Sequence, residues 1–324
     1  MFRIIFLVLI LASSATGALA QGTYPARPVT LIVPFPVGGP MDKLARELAE
    51  PLKARLGQPV VIQNLSGAGG NLGTTIAMRA PADGYTLLLN HISMATSPAL
   101  YRNLGFQPDR DFEPLGVIVE SPLVFVARPQ VPSSSVVDLI RWMAVQPQVK
   151  LANAGAGSAS HLCGLLIQEA LKIRMATIPY RGTAPAMTDL LGGHVDLMCD
   201  LTANAMPHVQ SGKLKAIAVT SGKPLVGTPL AAVPTTARFG IVDSELSIWY
   251  AVYAPKSTPP EILKRINEAL LASVKNEAFK RAQSAAGIQV VQDVRATPAG
   301  HRAFLRSELD RWTPVIKAAG IYAN

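Results

Sequence analysis

Val29-Thr30-Leu31-Ile32-Val33 runs directly into Pro34-Phe35-Pro36-Val37-Gly38-Gly39-Pro40, and Met41-Asp42 then opens a periodic stretch. The first run, dominated by branched aliphatic residues, predicts a buried strand. Three prolines and two glycines in seven residues permit only a loop. From Met41 to about Leu56, Leu44, Leu48 and Leu52 fall on one helical face, and Gly57 supplies the stop. Strand, loop and helix in that order form the repeating unit of an α/β protein.

The unit recurs further along the chain. Val60 to Gln63 predicts a strand, Ser66 to Gly70 a loop opening a helix through Met78, and Tyr85 to Leu89 a third strand after the Asp83-Gly84 turn. Further on, Val149 to Asn153 predicts a strand, Gly155-Ala156-Gly157-Ser158 a glycine loop, and Ser160 to Leu171 a helix. Strands near 176–180, 195–198, 214–220 and 248–254 follow, with helices near 185–191, 261–274 and 298–319. Two extended stretches, Pro122 to Arg128 and Leu246 to Ala254, are expected to cross between two lobes. That places residues 21–124 with 246–324 in one lobe and 125–245 in the other.

The first residues carry the order of a secretory leader: Arg3, the apolar run Ile4 to Ala12, then Ala18-Leu19-Ala20 before Gln21. Residues 1–20 are therefore expected to be removed on export. The apolar run is short for a membrane span of about 20 residues. The net charge is +9, but the Lys and Arg residues are scattered and lack aromatic interleaving. Anionic small solutes suit this balance, and nucleic acid is not an expected partner. The two cysteines, Cys163 and Cys199, form no C-x-x-C pair, so neither a metal site nor a cofactor is expected. Two buried free thiols are the expectation and a disulfide is the alternative, because spacing does not show whether their side chains meet.

Two glycine loops, each between a strand and a helix, carry the chemistry. The first N–H groups of a helix lack internal partners, and the helix dipole leaves partial positive charge there. Each such end suits an anion. Gly38, Gly39 and Met41 are the expected donors of the first loop, since Pro40 has no N–H; Phe35 and Val37 flank them. In the second, Gly157, Ala159 and the hydroxyls of Ser158 or Ser160 are candidates. One helix–anion contact contributes at most about 2 kcal/mol. A micromolar affinity of about −8 kcal/mol therefore needs several donors in an enclosed cleft. Asp42 is expected to cap or brace its loop, because its charge repels an anion. His161 lies in the first turn of its helix, where packing competes with ligand contact. Arg181 suits a carboxylate or a surface ion pair, and Asp200 a ligand ammonium, a hydroxyl or a local cap. His91 and Ser93, just past the third strand, complete the candidate set.

Enzyme signatures are missing: both G-x-G stretches lack the third glycine of a dinucleotide fingerprint, and there is no P-loop, G-x-S-x-G or H-E-x-x-H. A catalytic triad assembled in space remains an open alternative.

Nearly the whole chain after residue 20 resembles the extracytoplasmic receptors of tripartite tricarboxylate transporters, the Bug solute-binding proteins. The resemblance rests on ordered motifs: Tyr24-Pro25 with Arg27-Pro28, Val33-Pro34-Phe35 to Asp42, Gly67-Ala68-Gly69-Gly70-Asn71 and Ala82-Asp83-Gly84-Tyr85-Thr86-Leu87. Pro98-Ala99-Leu100-Tyr101, Gly157-Ser158 with His161-Leu162, Pro179-Tyr180-Arg181-Gly182, Asp189 to Gly193, and Gly212-Lys213-Leu214 with Ala218-Val219-Thr220 continue it. It implies a type II periplasmic-binding-protein fold, in which two α/β lobes joined by crossing strands hold a ligand between them. It further implies a periplasmic monomer, not an enzyme, that binds a di- or tricarboxylate or an aromatic carboxylate and passes it to integral-membrane transporter subunits. In the family, the loops matching Phe35 to Asp42 and Gly155 to His161 hold a ligand carboxylate. Val37, Pro40 and Met41 depart from the usual proline, glycine or serine, and threonine or serine of that loop. Met41 is accordingly expected to face an apolar ligand body. A secreted α/β hydrolase-like enzyme and a receptor that presents its ligand to a membrane sensor are the alternatives.

Overall fold

The computed structural model describes residues 24–132, 136–155, 157–239 and 246–320. The expected leader and Ala156 lie outside the described residues. The chain runs β1 (Val29–Val33), α1 (Pro40–Leu56), β2 (Val60–Asn64), α2 (Asn71–Met78), β3 (Thr86–His91), α3 (Ser93–Leu100) and β4 (Phe112–Ala127). It continues through α4 (Val136–Val145), β5 (Lys150–Asn153), α5 (Ala159–Leu171), β6 (Ala176–Pro179), α6 (Thr183–Leu191), β7 (Leu197–Leu201), α7 (Thr202–Gln210) and β8 (Lys215–Val219). Then follow β9 (Ser247–Pro255), α8 (Pro260–Val274), α9 (Glu277–Ala285), the short β10 (Gln289–Val290) and α10 (Pro298–Ala319).

The stretch that opens the sequence argument folds as its pattern dictates. β1 is buried almost throughout, and α1 turns Leu44, Leu48 and Leu52 into the core. Pro40 occupies the first helical turn, where no N–H partner is required. Gly57 ends the helix in the left-handed region, at φ 78°, with its N–H donating to Lys53 O.

The strands form one sheet in the order β2-β1-β3-β9-β4-β7-β5-β6, with β8 and β10 also pairing with β4. β1 pairs in parallel with β2 and β3, and β5 in parallel with β6 and β7. These two parallel groups are joined through antiparallel β4 and β9. β4 spans 16 residues. Its first part, Phe112 to Pro122, pairs with β9, and its last part, Leu123 to Ala127, pairs with β7 and β8. One strand thus belongs to both halves of the sheet. At the junction, Leu123 N–H donates to Thr220 Oγ1 (2.8 Å), and the Thr220 hydroxyl donates to Leu246 O (2.6 Å). A single buried threonine therefore ties both crossing segments together.

Alternate residues of β4 serve different cores. Leu123, Phe125 and Ala127 join the large cluster that also contains the β1–β3 half, whereas Val124 and Val126 face a smaller cluster with Met187, Leu190 and Met206. This follows from the two-residue period of a strand. No described helix is long and apolar enough to cross a membrane.

Several elements differ from the sequence expectation. β4 begins ten residues before the expected Pro122, through Pro114 and Gly116, where the register shifts; proline and glycine are tolerated at such irregularities. α3 has no amphipathic stripe because nearly all its residues are buried. Cys163 and Cys199 form a disulfide between α5 and β7, with Cα atoms 6.1 Å apart, which corrects the free-thiol expectation. The packing of α5 across β7 brings together side chains 36 residues apart, and chain spacing carries no trace of that contact.

Candidate ligand-binding site

The carboxyl ends of β1, β3, β5, β6 and β7 converge on one cavity of about 720 Å³. That volume falls in the range of small-molecule sites. Both halves of the sheet line it, and Leu123 of β4 with Ile248 and Tyr250 of β9 lie between them. Four helices begin at its wall: α1 with Gly39, Pro40 and Met41, α5 with Ser158, Ala159 and Ser160, α6 with Gly182, Thr183 and Ala184, and α7 with Leu201 and Asn204. The loop that follows a parallel strand leads into a helix at that strand's carboxyl end, so helix N-termini gather there by topology.

The first loop is braced from within. Asp42 Oδ2 accepts from Gly38 N–H (2.9 Å) and from Arg46 Nε (3.0 Å). Burial opposes the charge on Asp42, but these hydrogen bonds outweigh it and hold the carboxyl below its usual range. Gly39 N–H donates to Pro36 O (3.3 Å), and Asn64 Nδ2 donates to Phe35 O (3.1 Å). The Gly38 and Gly39 donors are thus engaged within the loop, and of the three expected N–H groups Met41 stands nearest the dipole end of α1.

The second loop uses the same logic with different residues. Ser158 is the N-cap of α5, its Oγ accepting from His161 N–H (3.2 Å), which leaves the hydroxyl proton to donate elsewhere. Gly157 N–H donates to His161 Nδ1 (3.1 Å), so the imidazole carries its proton on Nε2. Burial lowers the pKa of His161. The Ser158–His161 pair therefore meets through the backbone N–H and not through the ring, a geometry unlike a serine–histidine nucleophile. Ser160 lines the cavity, and its buried Oγ has no protein partner.

An aromatic strip forms the wall between the loops. Phe35 and His91 stand 4.7 Å apart, and His91 and Tyr250, opposite one another on β3 and β9, 5.9 Å apart between ring centroids. Ser93 N–H donates to His91 Nδ1 (3.0 Å), which again fixes the proton on Nε2. Burial holds the His91 pKa down at about 4, so this residue is a neutral donor at physiological pH. Burial and the nearby Asp200 charge push the Tyr250 hydroxyl upward, so it too stays protonated.

Of the sequence-predicted residues, Phe35, Val37, Gly38, Gly39, Met41, His91, Ser158, Ala159, Ser160, Arg181 and Asp200 line this cavity. Asp42, Ser93, Gly157 and His161 stand behind its wall and shape it. Sequence reasoning missed Tyr250, Ile248, Leu123, Asn204 and the Thr183 end of α6. The signal for the first three was the crossing-strand pattern itself. Asn204, one turn beyond Asp200, becomes visible only once α7 is recognised.

The sequence model of the tripartite tricarboxylate transporter family receptors matches residues 44–321. The chain belongs to this receptor family. Among solved structures, the periplasmic binding protein BugD is 41% identical, with a TM-score of 0.85 over 93% of this chain and 100% of its own. MatC from Rhodopseudomonas palustris, solved with bound malate, is 32% identical with a TM-score of 0.82, covering 90% of this chain and all of its own. Rpa4515 of R. palustris, solved with adipate, is 32% identical with a TM-score of 0.84 over 92% of this chain and 99% of that one. The fold of this receptor is that of these periplasmic binding proteins, two parallel α/β groups joined by strands that run between them.

Proposed function

We propose that this receptor captures one small carboxylate in the periplasm and delivers it to the integral-membrane subunits of a tripartite transporter. The observation that carries the reading is the convergence of four helix N-termini from both halves of the sheet on one cavity. The helix N-termini with their partial positive charge and the neutral side-chain donors Ser158, His91 and Tyr250 line the same volume, and the relatives bound to malate and adipate supply the chemical class. The lobes 21–124 with 246–324 and 125–245 close on the ligand as a monomer, pivoting where Thr220 joins the crossing segments. Export removes residues 1–20. Met41, Leu123, Met187 and Ile248 contact the apolar body of the ligand.

A thermal-shift and calorimetry screen over aliphatic, aromatic and hydroxylated carboxylates tests this. A ligand at 100 times its Kd stabilises the protein by about 2.7 kcal/mol. Ser158→Ala removes a hydroxyl donor, and Gly39→Val brings a Cβ to 3.3 Å from Pro36 O; each weakens binding by about tenfold or more. Absence of a shift with every carboxylate overturns the proposal, and wild-type affinity in both variants overturns the placement of the ligand. A preference for malate or citrate over every long-chain or aromatic acid overturns the role given to Met41.

A further inference from the structure

Among the described residues lining the cavity, Asp200 is the sole acid. Its polar neighbours there offer donors: His91, Arg181, Tyr250, Asn204 and Ser158. An acid in a site built for an anion opposes the main function of that site, so it needs an explanation of its own.

The local structure accounts for only one of its oxygens. Asp200 is 2% exposed. Oδ1 accepts from Leu201 N–H (2.8 Å) and, at 3.5 Å, from Asn204 Nδ2. Oδ2 is buried and has no partner. Leu201 is itself the N-cap of α7, so the Leu201 contact is not a cap of the second or third helical N–H. Capping therefore leaves Oδ2 unexplained. The position is firmly held, because the preceding residue, Cys199, is bridged to α5. A buried acceptor without a donor is costly. A ligand donor removes that cost, and a protonated amine also offsets the repulsion between Asp200 and the bound carboxylate.

We propose that Asp200 reads a second group on the ligand, accepting a hydrogen bond from a hydroxyl or protonated amine, and so selects hydroxy or amino acids over their unsubstituted parents. This rests on the carboxylate-receptor reading above. Burial pushes the Asp200 carboxyl up to about 7, more than the Leu201 and Asn204 hydrogen bonds offset. The soft terminal torsion of aspartate lets the carboxyl turn toward the cavity at little cost.

The test is calorimetry on the purified protein and on its D200A and D200N variants, with two matched sets. One is succinate, malate and aspartate; the other is 3-phenylpropanoate, phenyllactate and phenylalanine. In the set that binds, the wild type holds a donor-bearing acid about tenfold more tightly than the parent, and D200A abolishes the preference. D200N keeps an amide oxygen without charge, so it retains a preference for the hydroxyl and loses one for the amine, which distinguishes the two donors. Melting temperatures of the unliganded variants at or above wild type show that the fold is intact. Equal binding of parent and substituted acids, or an unchanged ratio in D200A, overturns the inference while leaving the receptor reading in place. Failure of the wild type to bind any carboxylate overturns both.

Discussion

Replacing Asp200 by asparagine should stabilise the unliganded receptor at neutral and alkaline pH and leave it unchanged in acid. The Asp200 carboxyl titrates near the ordinary aspartate value of 3.8 when the chain is unfolded and at about 7 in the folded protein, where burial disfavours the charge. Between those values the folded state holds a proton that the unfolded chain has released. Wild-type stability therefore falls as pH rises through that window, with no penalty below 3.8 and the full penalty above about 7. At about 1.4 kcal/mol per tenfold change, the separation corresponds to about 4 kcal/mol at pH 8. Asparagine cannot ionise and keeps an acceptor for Leu201 N–H, so it mimics the protonated acid. Urea unfolding of both proteins at pH 4.5, 6, 7 and 8 reads the effect as a difference that grows from about 1 kcal/mol at pH 4.5 to about 4 kcal/mol at pH 8. His91 and His301, with folded pKa values of about 4 and about 3, give the opposite slope between those values and 6.5. They are common to both proteins and cancel in the difference, and Tyr250, whose hydroxyl burial and the Asp200 charge push upward, stays protonated across this pH range. A stability difference that is the same at pH 4.5 and pH 8 refutes the reasoning.

The Cys163–Cys199 bridge closes a loop of 36 residues, so replacing both cysteines by alanine should lower stability by about 4 kcal/mol, measured by urea unfolding against the oxidised wild type. Gly157 has φ 74°, and a Cβ there would lie 2.2 Å from Leu100 Cδ1, across the cleft between the sheet halves. Gly157→Ala should therefore cost about 1–2 kcal/mol of backbone strain and, by holding the halves apart, weaken carboxylate binding by tenfold or more in calorimetry; wild-type affinity would count against closure at this contact.

The difference between what was legible in the sequence and what was not follows the range of the interactions. α1 was readable from Leu44, Leu48, Leu52 and Gly57 because a stripe and a stop are local signals. α3 was not, because burial on nearly every side erases the stripe. β4 was half-read because Pro114 and Gly116, which locally mark a break, are accommodated by register shifts against β9. At the site, both glycine loops were found, yet the engagement of Gly38 N–H by Asp42 and the bracing of Gly157 by His161 depend on side-chain direction.

Local pattern by itself determined the alternation of strands and helices, the two loops able to offer backbone donors, and the ordered motifs of the receptor family. Only the tertiary structure decided that four helix starts share one cavity, that Cys163 meets Cys199, and that Asp200 stands buried with one oxygen unclaimed. Backbone preference and periodicity act over a few residues and leave their mark in composition. Which helix N-terminus faces which is set by sheet order and by the strands that pass between the halves, and these join residues far apart along the chain.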